Sequence, residues 1–193
     1  MKKLLFTLLF LTLGTAWGGA FEDGLAAAER KDYATAIKFW HPLAEQGHSS
    51  AQSNLGIMYA NGHGVTQDYK EAVRLYKLAA EQGYAHAQFN LGYMYSEGQG
   101  VLQDYKEAVR LYGLAAEQGY ARAQTNLGVM YANGQGVLQD YARAHMWYNL
   151  ASSTGDANGT KNRDKVAKLM TPQQVGSAQE MARACQASNF KGC

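Results

Sequence analysis

Four features of this 193-residue chain carry residue types and spacings that could do chemistry. Ala60-Asn-Gly-His-Gly-Val65 places a Gly-x-Gly after an apolar run, the form of a loop that cradles phosphate with backbone N–H groups. Ser188-Asn-Phe-Lys191 fits Ser-x-x-Lys, the nucleophile motif of penicillin-recognising enzymes. Five histidines, His41, His48, His63, His86 and His145, offer ring nitrogens for a metal or a proton. Cys185 and Cys193 are the only cysteines.

Context removes most of this chemistry. A phosphate loop should open a helix, with a Lys or Ser/Thr placed to complete the site. Here the segment follows a helix-like run and leads through Val65-Thr-Gln to Asp68. It also returns as Ser96-Glu-Gly-Gln-Gly-Val101 and Ala132-Asn-Gly-Gln-Gly-Val137. One turn used three times accounts for that, with glycines supplying positive φ and the valine tucked inward. His63 becomes Gln99 and Gln135 in the other copies, so it reads as a turn residue. No two histidines are four apart, and no His/Cys cluster exists, so neither a metal nor a cofactor is expected. Ser188 lies in the tail rather than at a helix start, and neither Ser-Asp-Asn nor Lys-Thr-Gly occurs. No catalytic residue is assigned.

The elements that hold these features repeat. Segments 51–86, 87–122 and 123–158 align without gaps at a period of 36, and residues 32–50 match the second half of the unit. A fixed period of this size marks a solenoid. Each unit reads as two helices. In the first, Ala51, Leu55, Met58 and Tyr59 follow helical spacing; in the second, Ala72, Val73, Tyr76, Ala79 and Ala80 do. Asp68 with Glu71, repeated as Asp104 with Glu107, forms an acidic helix start able to cap two free N–H groups. Gly83, Gly119 and Gly155 fall where a left-handed residue ends the second helix. Gly56, Gly92 and Gly128 sit inside the first helix, which suggests close approach of neighbouring backbones. Tyr59, Tyr69 and Tyr76 recur every 36 residues and are assigned to packing.

The pattern resembles the Sel-1-like repeat family, a relative of the tetratricopeptide repeat. The carrying residues are Leu55-Gly56-x-Met58-Tyr59, Gly62-x-Gly64-Val65, Gln67-Asp68-Tyr69, Ala72 and Ala79-Ala80-Glu81-Gln82-Gly83, with their counterparts 36 and 72 residues on. The resemblance covers residues 32–158. It implies an all-α, α/α solenoid (superhelix) of about four helix-turn-helix repeats with a concave groove. Members are mostly adaptors, often in signalling or in host contact by exported bacterial proteins. A cysteine-rich branch linked to β-lactam binding carries a cysteine pair in each repeat; this chain has none within its repeats, so that activity does not carry over.

Comparing the repeats with each other locates a candidate binding face. Positions 50, 53, 57, 60 and 61 of the unit change between copies and fall within an arc of about 100° on a helical wheel. The unchanged positions 51, 55, 58 and 59 fill an arc on nearly the opposite side. In related solenoids the first helices line the concave wall. Ser53, Ile57, Phe89, Tyr93, Thr125 and Val129 are therefore expected on that wall, with Asn61, Glu97, Arg122 and Asn133 at its rim. Phe89 and Tyr93, one turn apart, would be partly exposed anchors for a partner. The alternative is that they pack on the next repeat.

The ends complete the reading. Lys2 and Lys3 precede an apolar run, Leu4 to Leu13, that is too short to span a bilayer; small residues follow. Residues 1–20 read as a signal peptide, cleaved after Ala16 or Ala20. Its removal takes two lysines and no acid, leaving 16 basic against 16 acidic residues, which argues against nucleic acid or membrane insertion. The repeat solenoid is expected over 21–158, in units of about 21–50, 51–86, 87–122 and 123–158. Residues 159–193 are expected to be a C-terminal helical cap, with a helix start at Thr171-Pro-Gln-Gln174. In an oxidising compartment Cys185 and Cys193 could pair; two free thiols are the alternative. The sequence reading is an exported, periplasmic or secreted, monomeric protein–protein interaction module. It would hold a protein or peptide in its groove. The alternative is an enzyme acting on cell wall or β-lactams.

Overall fold

The computed structural model describes residues 19–193; most of the expected signal peptide lies outside these residues. The described residues form helices and no strand. They are α1 (19–29), α2 (Tyr33–Glu45), α3 (Ser49–Asn61), α4 (Tyr69–Glu81) and α5 (Ala85–Glu97). Then follow α6 (Tyr105–Ala116), α7 (Ala121–Asn133), α8 (Tyr141–Ser153), α9 (Ala157–Ala167) and α10 (Pro172–Ala187). Two compact units result, one ending at Gln82 and the other beginning at Gly83. In the first, α3 packs against both α2 and α4. In the second, α5, α6, α7 and α8 each pack on the helix that follows, and α10 lies on α8.

Each repeat is punctuated by the same local chemistry. Asp68 Oδ1 accepts from the backbone N–H of Lys70 and Glu71 at 2.9 and 3.1 Å, and Asp104 does the same for Lys106 and Glu107. The glutamates do not reach back to close a capping box. Glu71 instead receives a bidentate pair from Arg74, at 2.8 and 2.6 Å, and Glu107 one from Arg110. Thr171 and Gln174 do complete a reciprocal box at the start of α10. Gly47, Gly83, Gly119 and Gly155 hold φ between +78° and +89°, the left-handed stop that ends each second helix.

The Gly-x-Gly turn is a connector. Gly62 (φ +67°) caps α3, and Gly64 (φ +73°) follows. Gln67 Nε2 then donates to the Ala60 carbonyl at 2.8 Å, and Asp68 N–H to that of Tyr59 at 2.9 Å, pinning the turn at both ends. A Cβ at Gly64 would lie 2.9 Å from Tyr33 Cβ, because the turn rests on the start of α2. His63 stacks on the Tyr33 ring at 4.5 Å. Val65 packs against the first unit's core.

Alanines at full burial (Ala51, Ala72 and Ala79, with Ala87, Ala108, Ala115, Ala123, Ala144 and Ala151) let the helices approach closely. The glycines inside the first helices serve a different purpose from the one expected. They face a tyrosine ring, not a neighbouring backbone. A Cβ at Gly56 would stand 2.5 Å from Tyr76, one at Gly92 3.0 Å from Tyr112, and one at Gly128 2.6 Å from Tyr148. Gly24 makes the same space for Trp40. The helix-propensity cost of about 1 kcal/mol is offset by seating a large buried ring.

The chain closes with α9 and α10. Asp156 caps α9, which packs on α8 and touches α7. α10 runs along α8 and buries Ala178, Ala182 and Cys185. Cys185 and Cys193 are disulfide-bonded, with Cα atoms 5.5 Å apart. The loop they close sets Phe190 against Gly119, 3.5 Å from the Cβ position.

Candidate partner-binding groove

The expected wall residues separate by repeat position. Ser53 is fully buried and Thr125 nearly so. Thr125 Oγ1 donates to Oδ1 of Asp156, the cap of α9, at 3.0 Å. Phe89 is half-buried, with its ring 5.2 Å from that of Tyr120 and 5.8 Å from that of Tyr112. Phe89 and Thr125 each reach the N-cap residue of the helix two further on, Tyr120 of α7 and Asp156 of α9, and Ser53, Phe89 and Thr125 do not stand on an open wall. A two-sided wheel misses this, because a first helix inside a solenoid packs against its own partner and the preceding repeat as well as the one that follows. One turn on, the surface opens. Ile57 is half-buried against the first unit's core, Tyr93 is 44% exposed, and Val129 is half-buried. Asn61, Glu97, Arg122 and Asn133 are exposed.

Two of these residues share a cleft in the second unit. Val129, Ala132 and Asn133 of α7 face Asn162, Lys165 and Val166 of α9, with Tyr148 of α8 and Leu169 beyond α9, around a cavity of about 380 Å³. The floor is apolar and firm. Tyr148 and Val166 are buried together, and burial pushes the Tyr148 hydroxyl up to about 12, so it stays protonated. Gln139 Nε2 bonds the Ala132 carbonyl at 2.8 Å and Tyr141 Oη at 3.3 Å, which fixes the loop at one end. Leu169 is 64% exposed at the lip. Lys161 and Lys165 of α9 and Lys168 just past its end are exposed at helical spacing, and of these Lys165 lines the cleft. Sequence comparison among repeats could not find the α9 side, because the period ends at residue 158. The lysine spacing was the available signal.

The remaining candidate groups are structural. Ser188 Oγ is bonded to the carbonyl oxygens of Cys185 and Lys191, at 2.9 and 3.0 Å, so it holds the tail turn. Among the described residues no group of three His, Cys, Asp or Glu is placed to hold a metal. No helix among them is long and apolar enough to cross a membrane. His145 lies in the core at 2% exposure, at the position of Val73 and Val109, and its Nδ1 has no partner. Burial and then the Arg163 charge hold its pKa below the ordinary histidine value, against a smaller opposing effect of Asp164.

The Sel1 repeat pattern matches residues 15–48, 49–84, 85–120 and 121–156, four consecutive copies in step with the helix pairs. The chain belongs to the Sel1 repeat family. The fold agrees with the crystal structure of a Sel1 repeat protein from Oxalobacter formigenes, with a TM-score of 0.72 and 32% identity over 84% of this chain and 69% of that one. It also agrees with c5321, a protective antigen present in uropathogenic Escherichia coli strains, with a TM-score of 0.63 and 27% identity over 90% of this chain. The chain spans 47% of that protein's length. No curated protein matches it. The Sel1 repeat is a protein–protein interaction fold, and its proteins are in general non-enzymatic scaffolds.

Proposed function

We propose that this Sel1 repeat protein is an exported adaptor that holds an acidic and apolar segment of a protein partner in the α7–α9 cleft. The observation that carries the reading is the pairing of an apolar floor with a basic edge at Lys165. Tyr148, Val166 and Val129 offer apolar burial, Asn133 and Asn162 offer amides, and Lys165 gives a positive edge, with Lys161 and Lys168 exposed beside it. The cleft volume of about 380 Å³ is in the range of sites that hold side chains of a ligand. Tyr93 and Glu97 extend the partner surface along α5, and Ile57 and Asn61 present the same positions in the first unit. The cysteine pair suits an oxidising compartment, the periplasm or beyond. Ala20 packs against the first unit's core, which favours signal cleavage after Ala16 over cleavage after Ala20. Residues 159–193 act as the cap that closes the repeat array.

Peptide-display selection on the purified chain tests the reading. Selected peptides should be rich in Asp and Glu beside large apolar residues, and the Lys161→Glu/Lys165→Glu/Lys168→Glu variant should stop enriching them. Selection of the same peptides by wild type and variant would overturn it.

A further inference from the structure

Sulfur gathers at one place in the second unit, away from the α7–α9 cleft. A cavity of about 350 Å³ between α8 and α10 is lined by Met146, Met181, Cys185 and Cys193, alongside the exposed Ser188 and Lys191. The four sulfur side chains also belong to one apolar cluster, in which Met146 and Cys185 are buried and Met181 and Cys193 half-buried. Met181 and Cys185 are four apart on α10 and share a face. Cys193 is bridged to Cys185, and its Sγ stands 4.0 Å from Ser188 Oγ. These methionines are not repeat residues. Met58, Met94 and Met130 recur every 36 positions in the core, whereas Met146 stands where the earlier units have Arg74 and Arg110, and Met181 lies beyond the period. Among the described residues no three His, Cys, Asp or Glu converge, which argues against a hard or borderline ion. Thioether sulfur is a soft donor, and here it adds to two cysteines.

We propose that, with the bridge open, this cavity is a Cu(I) site: the Cys185 and Cys193 thiolates and the Met181 thioether are its donors, and Met146 closes its inner side. The chain is made with both cysteines as thiols. Once the bridge has formed, a dithiol reductant of the thioredoxin class reopens it; the reductant's two thiols become a disulfide, and Cys185 and Cys193 each gain a proton. Cu(I) then displaces the two thiol protons to water and keeps its single charge, so no electron moves in the binding step. Two thiolates on one Cu(I) leave one net negative charge, beside the Lys191 ammonium. Thiolate and thioether donors select Cu(I), whereas Zn(II) takes thiolate, imidazole and carboxylate and gains nothing from a methionine. The apolar walls lack the nitrogen and oxygen donors that suit Cu(II). Occupied, the site ties the end of α10 to the tail as the disulfide does, so a covalent and a metal clasp alternate at one place.

The experiment reduces the purified full chain, removes the reductant in the absence of oxygen and titrates in Cu(I) held by bicinchoninate. Bleaching of the bicinchoninate complex should show a single Cu(I) taken per chain, and the Tm lowered by reduction should recover as the site fills. Met181→Leu keeps the apolar volume. It should weaken Cu(I) binding at least tenfold, while its bridge re-forms and its oxidised Tm matches wild type. Cys193→Ser should abolish uptake, and Met170→Leu, outside the cavity, should change nothing. Equimolar Zn(II) should not displace the copper. No uptake by the reduced chain, equal uptake by the oxidised chain, wild-type affinity in Met181→Leu, or displacement by Zn(II) would overturn the proposal.

Discussion

The surface of α4 and the surface of α8 are built from the same repeat, yet one is open and the other closed. On α4, Arg74 pairs with Glu71 in solvent and Leu78 is partly bare; on α6, Arg110 and Leu114 repeat this. On α8, Met146 replaces the arginine, Arg143 replaces the glutamate and turns to Tyr131, and Leu150 is fully covered. A few substitutions decide whether a repeat surface stays hydrated or receives a helix. An ion pair facing water needs no cover, whereas a Met-Trp-Leu face does.

Exchanging the two sets of residues breaks the comparison most sharply. Met146→Arg would place an unpaired charge beneath α10 and should cost about 3–5 kcal/mol, measured by denaturant unfolding. Leu91→Ala, a core truncation at a 4%-exposed position away from α10, should cost about 2–5 kcal/mol and serves as a yardstick. Reducing the Cys185–Cys193 bridge frees the tail that holds Phe190 on Gly119. By loop-closure entropy it should cost about 2–3 kcal/mol, read as a lower Tm in reductant.

His145 gives a smaller, pH-dependent effect. Its pKa is depressed in the folded state, so the unfolded chain takes the proton first. The stability it contributes is present above the unfolded value near 6.5 and is lost as pH falls toward the lower folded value. His145→Val restores the residue of the other repeats. It should raise stability by about 1 kcal/mol at pH 7 and flatten the fall in Tm between pH 7 and 5. The smallest change is the reverse exchange: Arg74→Met should stay within about 0.5 kcal/mol, because that side chain already faces water.

Much of the fold was legible because punctuation repeats every 36 residues. Asp68 acts through its own side chain on the next turn, and Gly62 and Gly83 through their own backbone, so their roles can be read without knowing any distant neighbour. The Thr171 box was legible for the same reason. What the sequence did not reveal depends on contacts between helices. Gly56 was read as a backbone contact because nothing local points to the Tyr76 ring 20 residues away. Ser53, Phe89 and Thr125 varied, and variation looked like exposure. In fact the space beside the N-cap of the helix two further on can be filled differently, by a ring at Phe89 or by a hydrogen bond at Thr125. The cleft itself was half visible: Val129 and Asn133 lie on it, but α9, outside the period, supplies the opposite wall.

The adaptor reading rests on the α7–α9 cleft, and hydrogen exchange on the purified full chain tests it most directly. With the best display-selected acidic peptide bound, exchange should slow over residues 129–133 and 162–169, and the peptide should remain intact after prolonged incubation. Unchanged exchange in both segments, or turnover of the peptide, nitrocefin or peptidoglycan fragments, would contradict it.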